Sequence, residues 1–263
     1  MIVFAAIVPH SPLLLPTIGK EHQPQLAKTL AAFQELEQAL YLSKAETLCI
    51  IAPHGPRYPD SFSANMAGSY TGTLKSFGDF STTVQAKSDF MLIDHTHRKM
   101  REEGIPFTLT SSEELDYGFS IPIILLTPHL SNWKLFPISP SMMDGKAHFE
   151  FGRNLKRIIH AESRRVAVIA SADLSHKLSG DSPGGATTEG PKFDEAVKAV
   201  VTTLDPTPLL TMSAETIESS GQCGYRPIAT LLGTLENMNV TSHLLSYEAP
   251  FGVGYLVAKY DIA

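Results

Sequence analysis

Residues 2–12 read Ile2-Val3-Phe4-Ala5-Ala6-Ile7-Val8-Pro9-His10-Ser11-Pro12: an apolar run without polar alternation that ends in a histidine between prolines. A short unalternated run of this kind fits a strand covered on both faces, as in parallel sheets. Residues 47–56 repeat the arrangement as Thr47-Leu48-Cys49-Ile50-Ile51-Ala52-Pro53-His54-Gly55-Pro56. Runs of the same character lie at 121–126, 166–170, 242–247 and 254–258, which makes six predicted strands with 2–8 and 47–52. Helical patterns fall between them. The clearest is 25–42, where Leu26, Leu30, Phe33, Leu36 and Leu40 form one stripe. Residues 90–103 form a second, with Asp89 placed to cap its start and Gly104 to end it. Others are expected at 148–161, 192–203 and 225–237, the last tolerating Pro227 in its first turn. Strands alternating with helices predict an α/β layered fold, a single domain over residues 1–263 with a mostly parallel central sheet covered by helices. The Gly-, Ser-, Thr- and Pro-rich stretch 178–191 is the expected mobile loop or lid.

Composition narrows the function classes. At 43% hydrophobic and 18% charged residues the chain is globular rather than disordered. Its net charge, 21 − 27 = −6, weighs against a nucleic-acid partner. Two cysteines without a CxxC pair imply no disulfide framework and point to a reducing, cytoplasmic setting. The N-terminal run lacks a basic region and a cleavage site, so it does not read as a signal peptide. No apolar run approaches the ~20 residues of a membrane span. No GxxxxGK[ST] loop, no strand-linked GxGxxG and no GxSxG elbow is present, which weakens nucleotide-binding and serine-hydrolase readings.

The residues just past the strands carry the chemistry. The first two strands end in His10 and His54, the fourth in Ser171-Ala172-Asp173-Leu174-Ser175-His176, and the fifth in Tyr247-Glu248-Ala249-Pro250. In open α/β sheets, ligands bind beyond the carboxyl ends of the strands, so these side chains converge if the strands are parallel neighbours. Two histidines and one carboxylate are the facial set of non-haem Fe(II) oxygenases and also suit catalytic Zn²⁺. His10, His54 and Glu248 are therefore the expected metal ligands, on backbone stiffened by neighbouring prolines. His176 is the expected acid–base group beside them. Asp173 reads as a carboxylate that orients an imidazole or as a turn cap. Cys223, just before a helix, reads as a packing residue, and His129 as a surface residue. Gln222 and Tyr225 are candidates to face the pocket. Arg57 and Arg226 are placed to grip an acidic substituent of a substrate.

At these motifs the chain resembles the class III extradiol ring-cleavage dioxygenases, the catalytic B-subunit superfamily, and within it the branch that includes the Memo-like proteins. The resemblance runs from IVFAAIVPHSP through APHGP, ASADLSHKLSG and GQCGYRPIATLLGTL to SYEAPFGVGYLVA. It implies Fe(II) held by His10, His54 and Glu248, with His176 as catalytic base. It also implies a small aromatic diol or aminophenol and O₂ as partners, with ring opening as the reaction and a homo-oligomer as the assembly. In Memo-like relatives the carboxylate's position can hold Cys; Glu248 favours the dioxygenase pattern. Many members carry a His in a segment resembling LDHG, where this chain reads Leu115-Asp116-Tyr117-Gly118. Tyr117 would take that catalytic place as a hydrogen-bond donor with a high pKa, ~10 when unperturbed. Two alternatives remain open: a Zn-dependent hydrolase at the same ligands, and a Memo-like metal-binding interaction protein without ring cleavage.

Overall fold

In the computed structural model, which describes residues 1–263, the strands are β1 (Ile2–Val8), β2 (Thr47–Ile51), β3 (Phe62–Asn65), β4 (Ser69–Leu74), β5 (Asp79–Lys87), β6 (Phe107–Thr110), β7 (Glu114–Leu115), β8 (Lys134–Ser139), β9 (Val166–Ser171), β10 (Val240–Glu248) and β11 (Tyr255–Ile262). Eight of them form one sheet in the order β10-β11-β1-β9-β2-β8-β3-β6, and β5-β4-β7 form a small second sheet. The four central strands β1, β9, β2 and β8 are mutually parallel. The fold is thus the expected α/β arrangement with a mostly parallel central sheet covered by helices.

The unalternated runs explain themselves in the packing. On β1, Ile2, Ala5 and Ile7 enter one core while Phe4, Ala6 and Val8 enter the other. On β9, Val166, Val168 and Ala170 face one side and Ala167 and Ile169 the opposite side. Both faces of the strand are apolar because both are covered. The first core is closed by the helices Phe90–Glu102, Gly145–Ala161, Glu189–Thr203 and Tyr225–Leu235, the second by Ala27–Ser43 and Tyr117–Leu126. Helices Gly145–Ala161 and Tyr225–Leu235 approach until backbone meets backbone. A Cβ on Gly152 would lie 2.1 Å from the Thr230 carbonyl oxygen, and one on Gly233 2.0 Å from that of Phe149. Asp89 caps Phe90–Glu102 as expected, accepting from the Leu92 N–H at 3.4 Å. No helix is long and apolar enough to cross a membrane.

Three expectations are corrected. Residues 121–126 are not a strand but the second half of the helix Tyr117–Leu126, whose segment Phe119–Ile123 is wholly buried. A run that is apolar all round shows no period, so strand and buried helix look alike in it. Second, β3 to β8 were not among the predicted strands; they are short or carry polar residues that hide the pattern. Third, residues 178–191 are pinned rather than free. The Leu178 N–H and Ser182 Oγ both donate to the Gly252 carbonyl, Thr187 N–H donates to that of Lys177, and the helix Glu189–Thr203 already begins inside the stretch.

Candidate metal centre

Strand register builds the site. Val8 pairs with Ser171, and Ala170 with Ile51, so β1, β9 and β2 end at one level. Pro9-His10, Ala172-Asp173 and Pro53-His54 leave the sheet there together. The register brings the two predicted histidines into contact: His10 Nε2 lies 3.0 Å from His54 Nε2, with the rings edge to face. Cys223 arrives from the opposite direction, on the turn that opens the helix Tyr225–Leu235, and places Sγ 3.5 Å from His10 Nε2. The ligand atoms of His10, His54 and Cys223 all lie within 4.8 Å of one another.

The hydrogen bonds around His10 fix its proton. Ser171 Oγ donates to the Gly118 carbonyl at 2.5 Å, so its lone pair must receive His10 Nδ1–H at 2.9 Å. His10 Nε2 is therefore a bare lone pair aimed at His54 and Cys223. Gly118 has that carbonyl free because Pro122, four residues on in the same helix, has no N–H to bond it. Asp173 completes the mounting, its Oδ1 accepting the His10 backbone N–H at 2.8 Å.

Electrostatics keep the imidazoles neutral. Burial, reinforced by the charge of His176, lowers the His10 pKa to about 3. Burial and the neighbouring His10 also lower that of His54. Burial raises Cys223, with Asp173 adding to the effect, so it rests as a thiol that donates to the Asp173 carbonyl at 3.5 Å. Burial likewise lifts Asp173 above the usual carboxylate range. The donor set fits a cation: with one lone pair of His10 aimed at His54 3.0 Å away, either a proton on His54 or a metal ion must lie between them.

Glu248, the third expected ligand, lies outside this group and is bonded elsewhere. Its Oε1 accepts from the Thr29 N–H at 2.8 Å and from the Thr29 hydroxyl at 2.7 Å. The helix Ala27–Ser43 starts after Leu26, which has no side chain able to cap it, and Glu248 does the capping from another strand. Cys223, expected only to pack, stands where the carboxylate was expected. Its flanking glycines and the helix behind it were visible in sequence; its distance from His10 in space was not. His176 is half-buried, and its Nε2 is sheltered from solvent without a hydrogen-bond partner. Tyr117 stacks on His54, with its hydroxyl 3.0 Å from His54 Nε2. Burial and Asp116 raise the phenol's pKa, so it stays protonated and acts as a hydrogen-bond donor. Gln222 folds back to accept the Tyr225 N–H, and His129 sits on the surface against Glu37.

A family profile described as the catalytic LigB subunit of aromatic ring-opening dioxygenase matches residues 4–258. The chain is 26% identical over 264 residues to protein CA_C1420 of Clostridium acetobutylicum; the match covers 97% of this chain and 56% of that protein, so this chain spans little more than half of its relative. The crystal structure of uncharacterized protein JW3007 from Escherichia coli K12 shares the fold, with a TM-score of 0.68 at 17% identity over 98% of this chain and 99% of that one.

Proposed function

Because the chain belongs to the family of catalytic LigB subunits of aromatic ring-opening dioxygenases, we propose that it is a metal-dependent dioxygenase of the extradiol type, acting on a small aromatic diol with His10, His54 and Cys223 as the ligands. The observation that carries this reading is the convergence of those three ligand atoms within 4.8 Å at the carboxyl ends of parallel strands. An ion bound there, Fe(II) by the family pattern, would contribute Lewis acidity toward a phenol oxygen and electron transfer toward O₂. Ser171 and Asp173 hold His10 so that its Nε2 faces the ion. His176, with its unpartnered Nε2, accepts the proton of a substrate hydroxyl and returns it when the ring opens. Tyr117 donates a hydrogen bond to an oxygen developing negative charge beside His54.

The sulfur ligand favours a second reading. A thiolate in place of the carboxylate is softer, suited to Zn²⁺ or copper as well as iron. Zinc would make the centre hydrolytic or purely binding. Metal analysis of protein purified without oxygen, followed by oxygen uptake on a panel of catechols, separates the readings. Ring opening with stoichiometric O₂ consumption, lost in His176→Ala while metal is retained, is the expected result. Bound zinc with no O₂ uptake on any diol would assign the centre to the second reading.

A further inference from the structure

A cavity of ≈ 440 Å³ lies against the small sheet, walled by Ser69, Thr71, Gln85, Lys87, Asn132 and Trp133. We propose that it binds a neutral sugar, stacked on Trp133 and hydrogen-bonded by the polar side chains around it. The site is independent of the metal centre. Strands β2 and β8 are parallel, and Trp133 precedes β8 whereas His54 follows β2, so about 20 Å of strand separates the two.

The strands build one polar face. Across β4 and β5, Ser69 stands opposite Lys87 and Thr71 opposite Gln85, and opposite residues of an antiparallel pair share a face. All four are exposed, while Tyr70 and Ala86, paired on the other face, are buried. None of these four side chains, nor those of Asn132 and Trp133, makes a hydrogen bond or ion pair with another protein group. The backbone adds to them. The Thr71 N–H donates to the Glu113 carbonyl at 2.7 Å and therefore faces β7. Thr71 and Gln85 are thus a non-hydrogen-bonded pair, and Gln85 turns its own N–H and C=O to the free edge of β5.

The lining selects the ligand class. Trp133 is half-buried; it packs against the second core and also lines the cavity. An indole held in this way offers an apolar plane and one N–H donor. Asn132 beside it takes left-handed backbone, φ 58°, which asparagine tolerates better than most residues. A sugar ring matches this wall, with C–H groups over one face and hydroxyls around its rim. Each hydroxyl both donates and accepts, and so do the serine, threonine, asparagine and glutamine side chains that would meet it. One lysine and no carboxylate line the cavity, whereas a phosphate is gripped by arginine forks or a helix N-terminus. The volume falls within the about 300–1,000 Å³ of small-molecule pockets.

Trp133 is the only tryptophan of the chain, so indole fluorescence reports on this cavity alone. Titration of the full chain with glucose, galactose, mannose, N-acetylglucosamine and maltose, with adenosine for comparison, tests the proposal, and calorimetry repeats each titration without the optical probe. We expect at least one sugar to change the emission saturably, with a Kd on the order of 1–10 mM or below. Gln85→Ala and Asn132→Gly should each weaken that binding about fivefold or more, since each removes hydrogen-bonding groups from the wall. Gln85 is exposed, and glycine accepts the Asn132 backbone angle, so both variants keep the fold. No saturable response to any of the five sugars by either method would overturn the proposal. Sugar binding that both variants leave unchanged, or adenosine binding tighter than every sugar, would overturn it as well.

Discussion

Thr29 is the third residue of its helix, and its N–H would be an orphan donor without Glu248. A carboxylate at a helix N-terminus both accepts that proton and complements the helix dipole. Glu248→Ala is therefore expected to lower stability by about 1–3 kcal/mol, read as a fall in the denaturant midpoint, while metal retention is unchanged. Cys223→Ser should do the opposite: little change in stability without metal, and a metal affinity reduced roughly 100-fold or more, since a serine hydroxyl is a poor substitute for a thiolate. Loss of metal in the Glu248 variant with retention in the Cys223 variant would reverse the assignment. At this scale the two histidines were legible, because each ends an apolar strand beside a proline. The approach of Cys223 to them was not, because a carboxylate after a strand and a cysteine before a helix each have an ordinary reading as well as a functional one.

At the scale of the element, the helix Tyr117–Leu126 links a proline to the ligand group. Pro122 frees the Gly118 carbonyl, which binds the Ser171 hydroxyl, which in turn sets the proton of His10. Pro122→Ala would restore an N–H that competes for this carbonyl. The expected outcome is an unchanged or higher melting temperature with metal affinity lowered about 10–100-fold. A variant that is more stable and binds metal equally well would show that Ser171 needs no such partner. Neighbouring elements are as tightly specified. Gly233→Ala forces a methyl into the Phe149 carbonyl, and a loss of roughly 1–3 kcal/mol is expected from the overpacking. Chemical denaturation measures it, and a neutral result would mean that the helices Gly145–Ala161 and Tyr225–Leu235 can part without penalty.

At the scale of the whole molecule, Asp194 ties three distant segments together. It accepts from the Ser175 N–H at 2.8 Å and from the Tyr247 hydroxyl at 2.7 Å, and it sits where any side chain on Gly254 would fall. Burial raises its pKa to about 6. A carboxyl whose folded pKa exceeds its unfolded value favours the fold most below the unfolded value, and loses that contribution as pH rises through about 6. Asp194→Asn does not titrate, so its stability relative to the native chain should improve by up to about 3 kcal/mol between about pH 4 and pH 8. A difference that stays flat with pH would mean that Asp194 is ionised in the fold throughout.

The sequence by itself determined the layered α/β class, the buried strands β1, β2 and β9, the capped helix after Asp89, and two histidines delivered to one edge of the sheet. These are local matters of apolar period, caps and prolines, which short stretches of chain record. The tertiary structure decided what depends on neighbours far along the chain. It made a helix of 121–126, because a segment buried on every side carries no period. It gave Glu248 to a helix start and brought Cys223 to the histidines, because a side chain's role is set by whichever groups the fold brings within a few ångströms of it.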